Sequence, residues 1–418
     1  MIDVGEAERR VLEAASQAAR SRTIERVPLL DALGRVLAED VTSDVDSPPH
    51  DKSIVDGYAV RTADFERRPH SADPGPVELA VVEEVTAGQV PTQPLGTGRT
   101  TRIMTGAPIP EGADAVVMSE ETEHADEPGT PLGVARFKSS SVVPGQNILR
   151  QGTSLRRAQV VLEAGRRLRS AEIGLLAEVG RGGVSVFRRP SLAVLATGNE
   201  LVPPEFAPGP GQIRNSNGPM LLAAAKECSA VPIDLGIGRD DPQSLRELID
   251  KGLQCDVLVL SGGVSAGALD LVPGILQELG VVEIFHKIRL KPGKPLFFGV
   301  RQQAEGPATL VFGLPGNPVS SFVCFHLFVR KALAVLGAGC DPPISIQAAL
   351  AEDFVHQGPR TTYHPARLLT DRSPPEVEQV PWHGSADLRA LSTADALAIF
   401  PEGDREYPAG TEIMALRL

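Results

Sequence analysis

Apolar residues recur every three or four positions along residues 4–38, at Val4, Ala7, Val11, Leu12, Ala15 and Ala18, then at Leu29, Leu30, Leu33, Val36 and Leu37. That period predicts helix. From Ser47-Pro48-Pro49 to about residue 140 the pattern breaks into short β-rich runs, Val77–Val82, Arg102–Met104 and Ala115–Met118, between Pro/Gly turns. A further helix is predicted over Ser170–Val179, stopped by Gly180. Between 190 and 337 strand and helix alternate. Strands are expected at Ser191–Ala196, Pro232–Gly236, Asp256–Leu260, Val281–Lys287, Leu296–Val300 and Thr309–Phe312. Helices are expected at Pro219–Cys228, Pro242–Gly252, Leu271–Leu279 and Val319–Leu336. This alternation predicts an α/β region built on a doubly wound, mostly parallel sheet with right-handed crossovers. Ligands of such sheets sit at the C-terminal strand ends. From about 340 to 418 short strands and turns such as Pro401-Glu402-Gly403-Asp404 return, predicting a second β-rich domain.

Composition then narrows the function. A chain of 418 residues is long enough for two to four domains. With 42% hydrophobic and 22% charged residues it is not a wholly disordered chain. Aromatic content of 4%, with one Trp, argues against base-stacking platforms, and a net charge of -12 without a long Lys/Arg run argues against general nucleic-acid or membrane-surface binding. Partners are therefore expected to include no nucleic acid and no membrane. The acidic, amphipathic start is unlike a targeting peptide. The longest apolar run, Phe322 to Val329, is closed by Arg330-Lys331 and is too short to span a bilayer. A cytoplasmic location is expected. Cys228, Cys255, Cys324 and Cys340 form no C-x-x-C pair and read as free thiols in a reducing compartment.

The candidate chemistry lies at the strand ends of the α/β region. Three unusual turns occur there: Thr197-Gly198-Asn199-Glu200, Ser261-Gly262-Gly263-Val264-Ser265-Ala266-Gly267 and Gly313-Leu314-Pro315-Gly316-Asn317-Pro318. Glycines let backbone N–H groups converge on a ligand, and a helix N-terminus just beyond favours an anion. In Phe285–Pro295, read as extended, Lys287, Arg289 and Lys291 alternate with Ile288 and Leu290, and Lys294 adds a fourth cation with no acid among them. Glu200, Asp240 and Asp270 among the same turns suggest phosphate bridged to Mg2+ through carboxylates, although each could instead cap a helix, and Asp241 before Pro242 reads as such a cap. A rival is a hydrolase with Ser265 as nucleophile, since Gly263–Gly267 fits G-x-S-x-G. A helix begun at Ser265 would enclose Pro273, whereas with Asp270 as cap that proline falls in the first turn. No later histidine offers a persuasive partner.

At these residues the sequence resembles the MoeA family of molybdopterin molybdenumtransferases, which includes the C-terminal domain of gephyrin. The likeness runs through Pro49–Arg61, Arg102–Pro108, Pro110–Val117, Gly145–Ile148, Ala196–Leu201, Arg239–Pro242, Ser261–Ser265, Lys291–Pro295 and Gly313–Ser320, in order over essentially the whole chain. The resemblance implies an elongated homodimer with four domains per subunit. These would be an N-terminal linking domain (1–50 and 141–189), a β-rich domain (51–140), a MogA-like molybdopterin-binding α/β domain (190–337) and a C-terminal β domain (338–418). It implies insertion of molybdate into adenylylated molybdopterin with a divalent cation, Mg2+, releasing AMP and molybdenum cofactor. A MogA-type adenylyltransferase is a further implied partner.

Residue by residue, the resemblance implies oxyanion contacts from Lys291, Lys294 and Ser320, with Ser385 reaching in from the C-terminal domain and Lys287 assisting at the phosphates. Glu200, Asp240 and Asp270 would hold Mg2+ or orient the pyrophosphate. Gly262, Gly263, Ser265, Pro315, Asn317 and Pro318 would line the pterin site. Asp51, Ser53, Asp56 and Thr105 would act from the partner subunit. The chain departs from the family at Gln151-Gly152-Thr153-Ser154, where Arg-Gly-Glu-Asp is usual, at Asn199 in place of Asp, at Val55 in place of Met, and at Pro365 in place of Arg, for which Arg360 or Arg367 could substitute. These departures keep open a non-catalytic or tungstate-specific pterin-binding paralogue or scaffold.

Overall fold

The computed structural model describes residues 1–66, 76–139, 141–264, 271–304 and 306–418. The chain divides into two compact units, Met1–Glu39 with Ala164–Ile173 and Gly183–Leu418, and Asp40–Glu163 with Gly174–Gly182.

In the first unit α1 (Val4–Ala19) starts at Asp3, whose Oδ1 accepts from the Glu6 N–H at 2.8 Å. Its buried stripe is Ala7, Val11, Ala15 and Ala18. The helix does not continue to residue 38. Polar Arg20–Thr23 ends it, and Ile24–Pro28 forms a strand pairing antiparallel with Gly183–Phe187. Pro28 cannot sit inside a helix, and the strand's partner lies some 150 residues away, beyond the reach of a local period.

The α/β region supplies β1 (Ser191–Thr197), α2 (Asn217–Glu227), β2 (Val231–Gly238), α3 (Pro242–Gly252), β3 (Val257–Ser261), α4 (Leu271–Glu278), β4 (Val282–His286), β5 (Phe297–Arg301), β6 (Thr309–Leu314) and α5 (Pro318–Val335). The sheet order is β2-β1-β3-β6-β5-β4. The β2/β1, β1/β3 and β3/β6 pairs are parallel, while β5 runs antiparallel to both β6 and β4. β1, β3 and β6 are buried almost throughout, as strands covered on both faces must be. Alternation does the sorting. Leu192 and Val194 join Val257, Val259 and residues of α1, α2 and α5 on one face, while Ala193 and Leu195 join Leu258, Leu260 and residues of α3 and α4 on the other. α3 is capped as its sequence predicts, Asp241 Oδ2 accepting from the Ser244 N–H at 2.8 Å. α5 is long and apolar enough to cross a membrane by length and composition, but 67% of it is buried inside the fold, where it serves as a core helix.

The segment after β4 is not one extended strand. Lys287 has φ 68°, the Ile288 N–H bonds back to the Lys294 carbonyl, and only Leu290–Lys291 is strand, pairing parallel with Thr361–Thr362. The alternation itself holds, with Ile288 and Leu290 fully buried and Lys291 exposed. Arg289 does meet acids, Glu402 at 3.1 Å and Asp3 at 3.7 Å. The C-terminal strands Thr361–Leu369, Glu376–Gln379, Ser345–Leu350, Glu412–Arg417 and Ala396–Phe400 are joined in that order. The last pairs with the first, so the sheet closes into a small barrel.

The second unit holds a six-stranded sheet in the order Ala115–Met118, Gly57–Val60, Arg99–Ile103, Val77–Val85, Thr130–Phe137, Thr122–Glu127. Its core includes Tyr58, Val60, Phe65, Val117 and Phe137. A Cβ on Gly57 would run into the Val117 carbonyl, so the strand pairing there requires glycine.

Candidate active site

After β1 the chain crosses through α2 to β2 on one side, then through α3 to β3 on the other. The C-terminal ends of β1 and β3 therefore flank the point where the winding reverses, and a crevice opens there for geometric reasons. A cleft of about 380 Å³ occupies this place, within the usual range for small-molecule sites. Thr197, Gly198 and Glu200 line it after β1, Ser261, Gly262, Gly263 and Val264 after β3, and Pro315, Gly316 and Pro318 after β6. Arg214 to Asn217, at the start of α2, form the remaining wall together with Asp240 and Pro295.

The turn after β3 is shaped for close approach. Gly262 and Gly263 have φ of 90° and 63°, and a Cβ on either would lie 2.7 Å from an oxygen of Thr197. Only glycine fits, and the bare backbone is left facing the cleft. His286 Nε2 donates to the Val264 carbonyl, 2.7 Å away, steadying the same turn. Asn217 reaches across it: its Nδ2 donates to Ser261 Oγ at 2.8 Å and to the Gly316 carbonyl at 2.7 Å, while its Oδ1 is buried without a partner among the described residues.

Of the acids expected here, Glu200 and Asp240 both line the cleft. Asp270 and Ser265 lie outside the described residues. Asn199, one of the departures, accepts the Asp240 N–H through Oδ1 at 3.1 Å. An aspartate would accept the same bond while adding a third negative charge beside Glu200 and Asp240, so the amide keeps the geometry with less repulsion. Arg239 Nη1 donates to the Asn199 and Leu201 carbonyls at 2.9 and 3.0 Å, tying the β2 end to the β1 turn. No group of three or more His, Cys, Asp or Glu suited to a metal occurs among the described residues. Two carboxylates nonetheless fit Mg2+, which commonly takes one or two from protein and the rest from substrate phosphates and water.

Gly262, Gly263, Pro315 and Pro318 are thus brought together with Glu200 and Asp240. Asn317 occupies the N-cap position of α5 without a side-chain cap bond, and its Nδ2 instead donates to Ser385 Oγ at 2.8 Å, with the Val319 N–H on the Ser385 carbonyl at 3.1 Å. This joins Ser385 to the PGNP turn. Ser320 is buried in the first turn of α5. Lys291 and Lys294 are exposed and, like Lys287, are not among the cleft-lining residues, although Pro295 of their loop is. Of the two candidate replacements for the arginine absent at Pro365, Arg360 donates to the Leu290 carbonyl at 3.4 Å, next to Lys291, whereas Arg367 is paired with Glu378 at 2.6 Å. His364 is pushed below the usual histidine range by burial and by the nearby Lys291 charge, against the bond from its ring to the Pro365 carbonyl.

In the second unit the expected residues are held by their own neighbours. Asp56 Oδ1 accepts from the Thr105 N–H and Oγ1, each at 2.7 Å, which holds its carboxyl below the usual range. Burial raises Asp51, but the Gln151 N–H and the Arg150 guanidinium outweigh it and its carboxyl is lowered. Ser53 Oγ donates to the Val55 carbonyl at 2.6 Å. Gln151 also donates to Asp46 at 2.9 Å, and the Ser154 N–H bonds to the Ser47 carbonyl.

Sequence reasoning missed Asn217, Ser261 as a side chain, Thr197 and Arg214. The Asn215-Ser216-Asn217-Gly218 run before an apolar helix was the available signal, a helix start crowded with capping residues at the end of a β1 crossover.

Three family models match the chain. They are "MoeA N-terminal region (domain I and II)" over residues 2–180, "Probable molybdopterin binding domain" over 193–335 and "MoeA C-terminal region (domain IV)" over 347–418. The molybdopterin molybdenumtransferase of Bacillus subtilis is 35% identical over 99% of this chain and 94% of its own length. That of a Nostoc species is 35% identical over 94% and 88%. A solved molybdopterin biosynthesis MoeA protein from Pyrococcus horikoshii is similar over 100% of both chains, with a TM-score of 0.80 at 30% identity.

Proposed function

This chain belongs to the molybdopterin molybdenumtransferase family, and from that membership we infer that it works in molybdenum cofactor biosynthesis, inserting molybdate into adenylylated molybdopterin and releasing AMP. The observation that carries the reading to these residues is the cleft at the reversal of the sheet. The Gly262-Gly263 turn and the N-terminus of α2 line it together with Glu200 and Asp240. Amide donors and a helix N-terminus suit the pyrophosphate of an adenylylated ligand.

Mg2+ held by Glu200 and Asp240, with Asp270 as a third candidate, would offset the charge that develops on the departing AMP phosphate. Molybdate is a tetrahedral dianion, and Lys291, Lys294, Ser320 and Ser385 would receive it, with Arg360 as a further cation beside Lys291 and Lys287 at the phosphates. Gly262, Gly263, Pro315, Asn317 and Pro318 would shape the pterin site, with Ser265 beyond the β3 turn. Asp51, Ser53, Asp56 and Thr105 would act from the second subunit of a homodimer of four-domain chains, in the cytoplasm, with a MogA-type adenylyltransferase supplying the substrate.

The test is AMP release by the purified chain from adenylylated molybdopterin and Mg2+, with and without molybdate. Release that depends on molybdate is the expected result. Tight binding with no AMP in either case would replace the enzyme with a scaffold, and release driven by tungstate alone would change the oxyanion.

A further inference from the structure

Asn217 has two amide hydrogens, and both are committed. One goes to the Gly316 carbonyl, which can only accept, so the orientation of the amide is fixed by chemistry. The other goes to Ser261 Oγ at 2.8 Å. Ser261 therefore spends a lone pair on Asn217, and its own O–H must donate elsewhere. Among the described residues it has no acceptor. Ser261 is the last residue of β3, 2% exposed, and lines the cleft, with Gly262 and Gly263 directly after it. A hydroxyl that accepts from an amide is a stronger donor, and this one lines the cleft beside the Gly263 turn and the start of α2.

We propose that Asn217 is a positioning residue that sets Ser261 as a hydrogen-bond donor to a phosphoryl oxygen of the ligand in the cleft. The inference rests on the function proposed above and names two residues that neither motif nor resemblance pointed to as a pair. It has a signature that simple packing lacks. In Asn217→Asp the new carboxylate accepts where the amide donated. Ser261 turns its proton toward that carboxylate and presents a lone pair to the cleft, so a donor to the anion becomes a repulsive acceptor. Asn217→Ala only frees the hydroxyl. The near-isosteric change is thus the more damaging to binding, the reverse of the order that side-chain volume dictates.

The experiment is calorimetric titration of the full chain with adenylylated molybdopterin, without molybdate, for wild type, Asn217→Asp, Asn217→Ala, Ser261→Ala and Ser261→Thr, with each thermal midpoint recorded. Ser261→Ala is expected to weaken binding about tenfold, Ser261→Thr to stay within about threefold of wild type, and Asn217→Asp to bind more weakly than Asn217→Ala. Ser261→Ala binding like wild type, or Asn217→Asp binding at least as tightly as Asn217→Ala, overturns the inference and leaves the proposed function standing. A wild-type chain that binds no adenylylated molybdopterin overturns both. Should the Asn217 variants fail to fold, the two Ser261 variants decide alone.

Discussion

The Thr197–Glu200 turn beside the α/β cleft and the Asp51–Gly57 stretch of the β-rich unit look alike in sequence, each a short run with glycine, hydroxyl and acid. The structure uses them in opposite ways. Around the cleft, Gly262 and Gly263 leave backbone exposed to a 380 Å³ space, and Glu200 and Asp240 face it. In the other stretch Asp51 is engaged by Arg150 and Gln151, Asp56 by Thr105, and Ser53 by Val55. A motif marks a ligand site within one unit when its polar groups face a shared space. Where they are spent on neighbours, the same residue types build a turn, and a second surface must reach them before they can do more.

The sharpest way to break this contrast is Glu200→Gln. Turnover should fall by at least about 100-fold, while stability moves by no more than about 0.5 kcal/mol. A large loss of stability with retained turnover would make Glu200 a structural group. Next in size is Gly262→Ala, which places a side chain at φ 90° and 2.7 Å from the Thr197 carbonyl. Denaturant unfolding should show a loss of roughly 2–4 kcal/mol, together with lost ligand binding.

Acid separates the units more gently. His326 on α5 is buried against Phe322 and near Arg330, and burial first, then that charge, push it down to about 3. Unfolded, it binds a proton near its ordinary 6.5; folded, it resists. Its contribution is therefore complete above 6.5 and is lost as pH falls toward 3, at up to about 1.4 kcal/mol per unit. Asp51 and Asp56, lowered from 3.8, keep their contribution until pH falls below that value. The first unit should begin to weaken near pH 6.5 and the second only below about 4, and His326→Leu should flatten the early phase in a pH series of urea melts. The smallest effect is Asp51→Asn, where loss of the exposed pair with Arg150 should cost less than about 1 kcal/mol and shrink further in salt.

Much of the α/β region was legible because its signals are local. Pro242 after Asp241 marks a helix start wherever it occurs, and the buried runs Val257–Ser261 and Thr309–Leu314 admit few other readings. What escaped depends on distant partners. Ile24–Pro28 continues an apolar period that began in α1, and only Gly183–Phe187 makes it a strand. Lys287–Pro295 alternates like a strand, but a left-handed residue and a pairing with Thr361–Thr362 break it into a loop. At the site, glycine turns announced themselves, whereas Asn217 matters through Ser261 and Gly316, 44 and 99 residues further on.

The parallel pairing of Leu290–Lys291 with Thr361–Thr362 has a consequence for the order in which the protein is made. The chain leaves the ribosome from its N-terminus, so the α/β sheet can assemble before the closing strands of the barrel exist. Arg360, whose guanidinium meets the Leu290 carbonyl, lies 70 residues beyond it, and the barrel closes only when Ala396–Phe400 reaches Thr361–Leu369. A nascent chain halted near residue 340 would carry a finished crevice with its lysine loop unpinned. Only after release of the C-terminus do Thr361–Thr362 and Arg360 pin that loop.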